Sequence, residues 1–423
     1  MNKIFENPIL LKLQEWGQKV GSLRFVSALQ AGMMSLMSIL MVGAVCQIVA
    51  SVGQMLHLWT NQDAIYSYIY TPYNYTMGLI GVWATLFISY NYAKNLKMKT
   101  PLISAIDATL IFLMTCAPIT NGNLSISYLG ATGMFVGFFI SFIVVRIEKL
   151  CKDKDIRIKM PDICPPSLVN AFGSILPLAI NVFLFQGMNI ILLVCSNGTM
   201  TLPILLMKIL QYPLDIMLSL PGIFIISTLA LVLWCFGVHG TMIAYPILAA
   251  AMMEAAAHNA LLHEAGLPLE WFPVSLFGYI SVLGGTGNTF PLCLMGLFAK
   301  SKQIKAVSKA AIIPSWFGIN EPCTFGMPIM YNPILCIPYV LNSIVLMILT
   351  VIAFETGFII PAWISMNTLM PMGFGQYFTT LNIWNSVFVY LLIIPSFIIW
   401  YPFFKIYDQQ CYEKEMEITQ ENH

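Results

Sequence analysis

Long apolar segments recur along this chain, and their length constrains the fold more than any other feature. A helix that crosses a bilayer needs about 20 predominantly apolar residues. Segments of about this length lie at 28–52, 73–93, 101–119, 127–146, 168–195, 218–238, 274–298, 333–357 and 380–403. Only 9% of the residues are charged, against about 25% in a soluble domain. The sequence therefore predicts an all-α polytopic membrane protein with about ten transmembrane helices.

Basic residues are concentrated in a few loops, and this distribution predicts the orientation. Clusters of Lys and Arg lie at 94–99, 146–159 and 300–309, whereas 53–72 and 117–127 contain neither residue. Because cytoplasmic loops carry an excess of Lys and Arg, we expect the basic loops and both termini to be cytoplasmic. The mixed segment Met1 to Arg24 predicts an amphipathic surface helix rather than a cleavable signal peptide.

The two halves of the chain differ in how often their apolar segments are interrupted. We predict a scaffold in 1–200, which contains the surface helix, then an amphipathic connector in 201–217 and a transport domain in 218–423. In the last of these, Gly, Pro, His, Glu and Asn break the apolar segments. Two shorter or broken segments predict re-entrant hairpins near 241–257 and 306–330.

A carboxylate lies where a membrane protein tolerates it least. Glu321 stands between long apolar segments, in a stretch that Pro322 and Gly326 prevent from forming a plain spanning helix. An ionisable side chain at membrane depth is costly and usually marks a substrate or ion pathway. Together with Asn320, whose amide can donate and accept hydrogen bonds, Glu321 predicts a binding site.

Two further polar groups interrupt the second half. His239 lies between glycines in Gly237-Val238-His239-Gly240, where backbone can approach a ligand closely. The Gly284–Thr289 stretch contains Gly285, Thr286 and Asn288, whose hydrogen-bonding groups suit the hydroxyls of a sugar. We expect all of these residues to bind substrate, with His239 and Glu321 also taking part in catalysis.

The sequence offers no pattern for a metal, cofactor or nucleotide site. The ten cysteines are scattered, and none forms a Cys-x-x-Cys pair or a metal-like Cys/His spacing. Cys195 precedes Ser196-Asn197-Gly198-Thr199, which looks like a phosphocysteine loop, but it follows an apolar segment of membrane length. We therefore predict no chemical role for Cys195, and no metal, cofactor or nucleic-acid partner for the chain.

These features leave three classes of transport protein open. A phosphotransferase permease would release phosphorylated sugar inside the cell. A proton-coupled secondary transporter would use the same broken helices, with Glu321 as its proton carrier, and would release free sugar. A passive channel would need no closed site.

The polar motifs together resemble the membrane component (IIC) of the bacterial sugar phosphotransferase system, in its lactose/N,N′-diacetylchitobiose/cellobiose family. The similar segments are Gly237–Gly240, Gly284–Gly287, Ala299–Gln303, Ile319–Pro322, Phe325–Pro328, Asn332–Pro333 and the loop from Ile158 to Ser167. Cys323-Thr324 and Met330-Tyr331 depart from the family, in which apolar residues are usual at these positions. The departures bear on substrate preference.

The resemblance implies a multi-pass sugar permease of the bacterial inner membrane, surrounded by lipid and assembled as a homodimer. Its substrate would be a β-linked disaccharide of the cellobiose, diacetylchitobiose or lactose type. His239 and Glu321 would lie near the sugar hydroxyl that becomes phosphorylated. The phosphoryl donor would be a phosphocysteine on a separate IIB protein supplied by IIA, so this chain would be the transport subunit of a phosphotransferase complex.

Overall fold

A computed structural model describes residues 12–421, apart from residues 13, 14, 16, 17, 21, 61, 121, 162 and 367–369. The chain divides into an N-terminal unit, Gly21–Asp215, and a C-terminal unit that begins at Ile216. This division lies inside the predicted connector 201–217. Most of the predicted surface helix, and Asp162 of the family-like loop, lie outside the described residues.

The N-terminal unit is built mainly from helices. Its helices are α1 Arg24–Ser35, α2 Met37–Met55, α3 Ala64–Thr76, α4 Ile80–Asn95, α5 Pro101–Cys116, α6 Met134–Asp153, α7 Pro166–Cys195 and α8 Leu202–Leu218, the last of which crosses the division. A small hairpin pairs β1 Ile119–Thr120 with β2 Asn123–Leu124. Helix α4 packs against α1, α5 and α6, and α7 packs against α5 and α6.

Small residues allow these helices to approach closely. A Cβ atom on Gly32 of α1 would lie 2.9 Å from backbone atoms of Ile88 in α4, and one on Gly137 would lie 2.3 Å from Thr85 Oγ1. Such contacts suit helices in lipid, where close packing replaces the hydrophobic effect as the main attraction. Around them, Phe112, Phe185 and their neighbours form an apolar core.

The C-terminal unit contains more and shorter helices. They are α9 Leu220–Cys235, α10 Gly240–Glu264, α11 Leu276–Tyr279, α12 Phe290–Gly296, α13 Lys302–Trp316, α14 Glu321–Gly326, α15 Pro333–Glu355, α16 Phe374–Thr380, α17 Ile383–Leu391 and α18 Ile393–Glu421. Helix α9 packs against α10 and α15, while α18 packs against α12, α13 and α15. Trp400, Tyr339 and Met347 are buried in the core between these helices.

The predicted all-α fold is confirmed, but the spans differ in detail from the predictions. Among the described residues, five helices are long and apolar enough to cross a membrane, or six if the broken pair α8 and α9 is one span. The span predicted at 28–52 lies within one of these five, Arg24–Gln54, whereas the span predicted at 73–93 begins only at Ile80, after the end of α3. Apolar composition locates such segments, but it does not locate the breaks within them.

The two predicted hairpins have different outcomes in the structure. The segment 241–257 lies inside the single 25-residue helix α10, so the prediction that the chain reverses direction there is wrong. Pro246 is accommodated without breaking the helix, because bends and local adjustments can satisfy the freed carbonyl. In 306–330, by contrast, α13 and α14 are joined by a turn at 317–320 and pack against each other.

The motif Ala299–Gln303 is held by the last helix of the chain. Asp408 of α18 accepts hydrogen bonds from the backbone N–H groups of Lys300, at 2.9 Å, and Ser301, at 3.0 Å. Glu415 accepts from Ser301 Oγ at 2.6 Å and from the backbone N–H of Gln303 at 2.9 Å. Two carboxylates thus satisfy the free amides at the start of α13, where negative charge is favoured by the helix dipole.

Candidate functional site

The interrupted segments of the C-terminal unit meet around one cavity of about 430 Å³. Five of the six predicted site residues line it: His239, Gly285, Thr286, Asn320 and Glu321. They come from three separate parts of the sequence. The structure therefore brings together side chains that the sequence could only place in separate motifs.

The Gly284–Thr289 turn needs glycine for conformation and for space. Gly285 and Gly287 have φ values of +87° and +82°, in the left-handed region. A Cβ on Gly285 would lie 2.7 Å from the carbonyl oxygen of Gly318, and one on Gly287 would lie 2.0 Å from the ring of Tyr339. The turn therefore presses against the 317–320 turn on one side and against α15 on the other.

Asn288 holds this turn from behind the cavity wall. Its side chain is fully buried, and its Oδ1 accepts from the backbone N–H of Leu283 at 2.8 Å. Its Nδ2 donates to the carbonyl oxygen of Tyr279 at 3.0 Å and to Ser343 Oγ at 3.2 Å. Asn288, which we predicted to bind substrate, does not line the cavity, because its amide is used to satisfy the backbone of the turn.

Asn320 connects the two turns at the cavity wall. Its Nδ2 donates to the carbonyl oxygen of Thr286 at 2.8 Å, and only 4% of the residue is exposed. Ser315 Oγ donates to the carbonyl oxygen of Gly284 at 3.4 Å and adds a second, weaker connection. Asn320 therefore positions both turns, and only the remaining capacity of its amide is available to a ligand.

Glu321 begins the short helix α14 and faces the cavity. Glu321 is exposed in the single chain. Within the described part of the chain, its carboxylate forms no hydrogen bond and no ion pair. Both oxygens are therefore available to a ligand. An ionised carboxylate only accepts hydrogen bonds, so a ligand with hydroxyl groups satisfies it.

His239 lies at the start of α10, where its side chain caps the helix. Nδ1 lies 2.9 Å from Thr241 Oγ1 and accepts from the backbone N–H of Met242 at 3.4 Å. In the neutral ring these contacts assign the proton to Nε2. The ring also packs against Trp234, with the centroids 4.4 Å apart. Nε2 is then the nitrogen that can donate a hydrogen bond to a ligand.

A tyrosine joins the His239 loop to the segment that follows Glu321. The backbone N–H of Tyr331 donates to the carbonyl oxygen of Cys235 at 2.9 Å, and its hydroxyl donates to the carbonyl oxygen of Phe236 at 2.7 Å. Tyr331 is one of the residues that depart from the family pattern. It fixes the distance between the loop that carries His239 and the start of α15.

Several residues that line the cavity were missed by the sequence analysis. They are mainly aromatic, thioether and amide side chains, including Trp316, Phe317, Tyr245, Met372 and Gln376. Met372 is connected to Trp316 by a backbone hydrogen bond of 2.8 Å, in which the N–H of Met372 is the donor. The isolated amide of Gln376 in an apolar segment was a usable signal, whereas Trp316 looks like any membrane aromatic.

Comparison with known proteins decides the family. Residues 30–343 match the model of the family described as "Phosphotransferase system, EIIC". The chain belongs to this family. The predicted family is confirmed, and this EIIC protein is a membrane-embedded sugar permease. Among the described residues, no group of three or more His, Cys, Asp or Glu side chains could hold a metal ion.

Relatives cover almost all of this EIIC protein. It is 29% identical over 419 residues to the lactose-specific EIICB component of Streptococcus mutans, and the aligned region covers 95% of this chain and 72% of the relative. It is 28% identical over 440 residues to the lichenan permease IIC component of Bacillus subtilis, covering 99% and 96% of the two chains.

A solved structure has the same fold. The transporter ChbC, the IIC component from the N,N′-diacetylchitobiose-specific phosphotransferase system, matches this EIIC protein with a TM-score of 0.85 and 27% sequence identity. The match covers 94% of this chain and 97% of ChbC. The likeness therefore includes both the N-terminal and the C-terminal unit.

Proposed function

We propose that this EIIC protein takes up a β-linked disaccharide, which a separate phosphorylated IIB protein phosphorylates during transport. One observation carries the proposal: His239 and Glu321 line the same cavity, and each keeps hydrogen-bonding capacity that no described residue uses. Lactose, lichenan and N,N′-diacetylchitobiose, named for three similar proteins, are β-linked sugars. Their shared chemistry supports the same class of substrate here.

The cavity has the composition that a sugar requires. A pyranose ring has apolar faces and a polar edge, and sugar sites match the faces with aromatic rings and the edge with a few convergent polar groups. Trp316 and Phe317 supply rings, while Gln376, Thr286 and Asn320 supply amide and hydroxyl groups. A volume of about 430 Å³ accommodates two pyranose rings.

The proposed phosphoryl transfer needs a base at the accepting hydroxyl. The sugar oxygen attacks the phosphorus of the IIB phosphocysteine, the S–P bond breaks, and the cysteine leaves as a thiolate. Glu321 takes the hydroxyl proton, and His239 Nε2 donates a hydrogen bond that orients the sugar. Each group lines the cavity, and neither role requires a metal ligand or a cofactor from this chain.

The proposed arrangement in the membrane follows the charge distribution. We propose that both termini and the loops 94–99, 146–159 and 300–309 are cytoplasmic, so that IIB meets the basic face of the protein. We further propose that 306–330 is a re-entrant hairpin, that the N-terminal unit forms a homodimer, and that the C-terminal unit carries the sugar. Labelling of single cysteines from each side of the membrane tests the orientation.

Transport of labelled sugars tests the proposed function directly. Vesicles containing this protein, with phosphorylated cognate IIB inside, should accumulate phosphorylated lactose, cellobiose or diacetylchitobiose. Vesicles without IIB provide the control and should accumulate none. Accumulation of free sugar that depends on a proton gradient would contradict the proposal and would favour the secondary transporter.

A further inference from the structure

Helix α13 begins in the basic segment 300–309 and ends beside the turn 317–320, at the wall of the sugar cavity. One side of the helix packs inward, and its buried residues are Ile304, Ser308, Ala311 and Ser315. The opposite side is exposed in the single chain, and its residues are Lys302, Lys305, Ala306, Lys309, Ala310, Ile313 and Trp316. This exposed face of α13 runs without interruption from the basic segment to the cavity.

Three residues of the exposed face of α13 lie on one line along the helix. Lys302, Lys309 and Trp316 are spaced seven residues apart. Seven residues are close to two helical turns, so the three side chains leave the helix in nearly the same direction. At 1.5 Å per residue, Lys309 lies about 10 Å from Trp316 along the helix axis. Because Trp316 lines the sugar cavity, this line leads from the cationic end of the helix to the place of the proposed phosphoryl transfer.

The positive charge of this face is only partly compensated. Helix α13 contains three lysines and neither Asp nor Glu. Glu415 interacts electrostatically with Lys302, but its oxygens accept hydrogen bonds from the backbone and hydroxyl groups of residues 301–303. Lys305 and Lys309 form no ion pair within the described part of the chain. Two cations, one turn apart, therefore remain available to an anionic partner.

The positions of the lysines are unfavourable for the helix alone. The amino-terminal end of a helix carries partial positive charge, which favours Asp and Glu in the first turn and disfavours Lys. Helix α13 has no acidic residue in its first turn, and Lys302 and Lys305 are its first and fourth residues. The positive-inside rule accounts for cations in this segment, but it does not require them on one exposed helix face. A negatively charged partner at this face accounts for both features.

We propose that the exposed face of α13 is the docking surface for the phosphorylated IIB protein, an inference that rests on the proposed function. Lys305 and Lys309 bind the negatively charged phosphoryl group as the phosphocysteine approaches, because clustered lysines are complementary to it. Ala306 lies between them on the same face and lets the backbone of the partner approach the helix closely. A free anion or a lipid headgroup needs no path from the lysines to the cavity, whereas the phosphoryl donor needs one.

Uptake by right-side-out vesicles loaded with graded concentrations of phosphorylated cognate IIB tests the docking surface. In Lys305→Gln/Lys309→Gln, the IIB concentration that gives half-maximal uptake should rise about tenfold or more, since two charged contacts are lost. Uptake at saturating IIB should stay within about threefold of the wild type, and sugar binding without IIB within about twofold, because neither lysine lines the sugar cavity. Lys305→Arg/Lys309→Arg keeps the charge and should restore the half-maximal concentration to within about threefold.

Two controls separate docking from general surface charge. Lys97→Gln/Lys99→Gln removes the same charge from another segment that is predicted to be cytoplasmic, and should change the half-maximal IIB concentration less than about twofold. Added salt screens exposed charges. It should therefore raise the half-maximal concentration more steeply for the wild type than for Lys305→Gln/Lys309→Gln.

Three results would overturn the docking surface. Equal shifts in the two glutamine double variants would attribute the effect to general surface charge. An unchanged half-maximal IIB concentration in Lys305→Gln/Lys309→Gln, while the wild type accumulates phosphorylated sugar, would contradict the docking surface and leave the proposed function intact. An altered dependence of uptake on anionic lipid, with that concentration unchanged, would assign the lysines to lipid. Absence of phosphorylated sugar from wild-type vesicles at every IIB concentration would contradict both the docking surface and the proposed function.

Discussion

The N-terminal and C-terminal units solve the same problem of backbone hydrogen bonding in opposite ways. Lipid offers no hydrogen bonds, so each backbone group must find a partner within the protein. In the N-terminal unit, long helices such as α6 and α7 satisfy their own backbone. In the C-terminal unit, helices stop at 280–289 and 317–320, and the amides of Asn288 and Asn320 provide partners for the free backbone.

This difference separates two kinds of polar residue in the C-terminal unit. One kind, represented by Asn288, is buried and fully used in holding a turn. The other, represented by Glu321, faces the cavity and forms no hydrogen bond or ion pair with any described residue. The first kind should matter for stability and the second for transport, and substitutions can separate these two effects.

The largest expected effect comes from a side chain added to the glycine turn. Gly287→Ala combines a left-handed φ with a clash against the Tyr339 ring, and should destabilise the protein by about 3 kcal/mol or more. Gly187→Ala in α7 is the matched control, because its Cβ meets nothing within 4 Å. Recovery of folded protein by size-exclusion chromatography measures both. Equal recovery of the two variants would contradict the packing of this turn.

Removal of the amide that holds the turn should come next. Asn288→Ala leaves the N–H of Leu283 and the carbonyl of Tyr279 without their partner, at a cost of about 1–3 kcal/mol each. Asn91→Ala in α4 is the control from the other unit, since among the described residues the Asn91 side chain donates one bond only, to the carbonyl oxygen of Phe87. The unfolding midpoint in detergent should fall clearly for the first and little for the second. A larger fall of the unfolding midpoint for Asn91→Ala than for Asn288→Ala would contradict the difference described between the two units.

His239 tests the boundary between the two kinds of residue, because Nδ1 caps α10 while Nε2 is free for substrate. His239→Asn keeps a capping oxygen and should retain stability, whereas His239→Ala loses both functions. Each should reduce uptake by roughly tenfold to hundredfold, from about 1–3 kcal/mol of lost hydrogen bonding. Normal uptake by His239→Asn would show that the His239 ring does not bind the sugar.

The smallest expected effect is in the N-terminal unit. Cys195 is the last residue of the 30-residue helix α7 and is exposed, not part of a loop after a strand. Cys195→Ser should therefore leave uptake unchanged within about twofold, and the chain should retain no acid-stable or thiol-linked phosphate. Labelled phosphate that is held by the wild-type chain and lost in this variant would show chemistry outside the C-terminal unit.

The sequence predicts the class of fold because apolar length and composition are set by the lipid. It also indicates Glu321 and His239 as candidate site residues, since ionisable groups at membrane depth are rare and costly. It does not distinguish Asn288 from Asn320, because two asparagines beside glycine turns look alike until their partners are known. Trp316 was missed for a related reason: an aromatic residue in an apolar segment fits packing and substrate binding equally well.

The helix breaks show a second limit of the sequence. A hairpin was predicted near 241–257, but α10 continues through this segment and through Pro246. The span predicted at 73–93, by contrast, is interrupted at 77–79, between α3 and α4. Local composition indicates where a helix can stop, whereas tertiary packing decides where it does.

The most direct test of the account is Glu321→Gln, which keeps the shape of the side chain and removes its charge. Because no described residue depends on this carboxylate, the unfolding midpoint should stay close to that of the wild type. Sugar binding should weaken by no more than about tenfold, while uptake with phosphorylated IIB should fall at least about a hundredfold through loss of the base. Normal uptake, or unfolding of this variant, would contradict the claim that Glu321 is free for the sugar and accepts its proton.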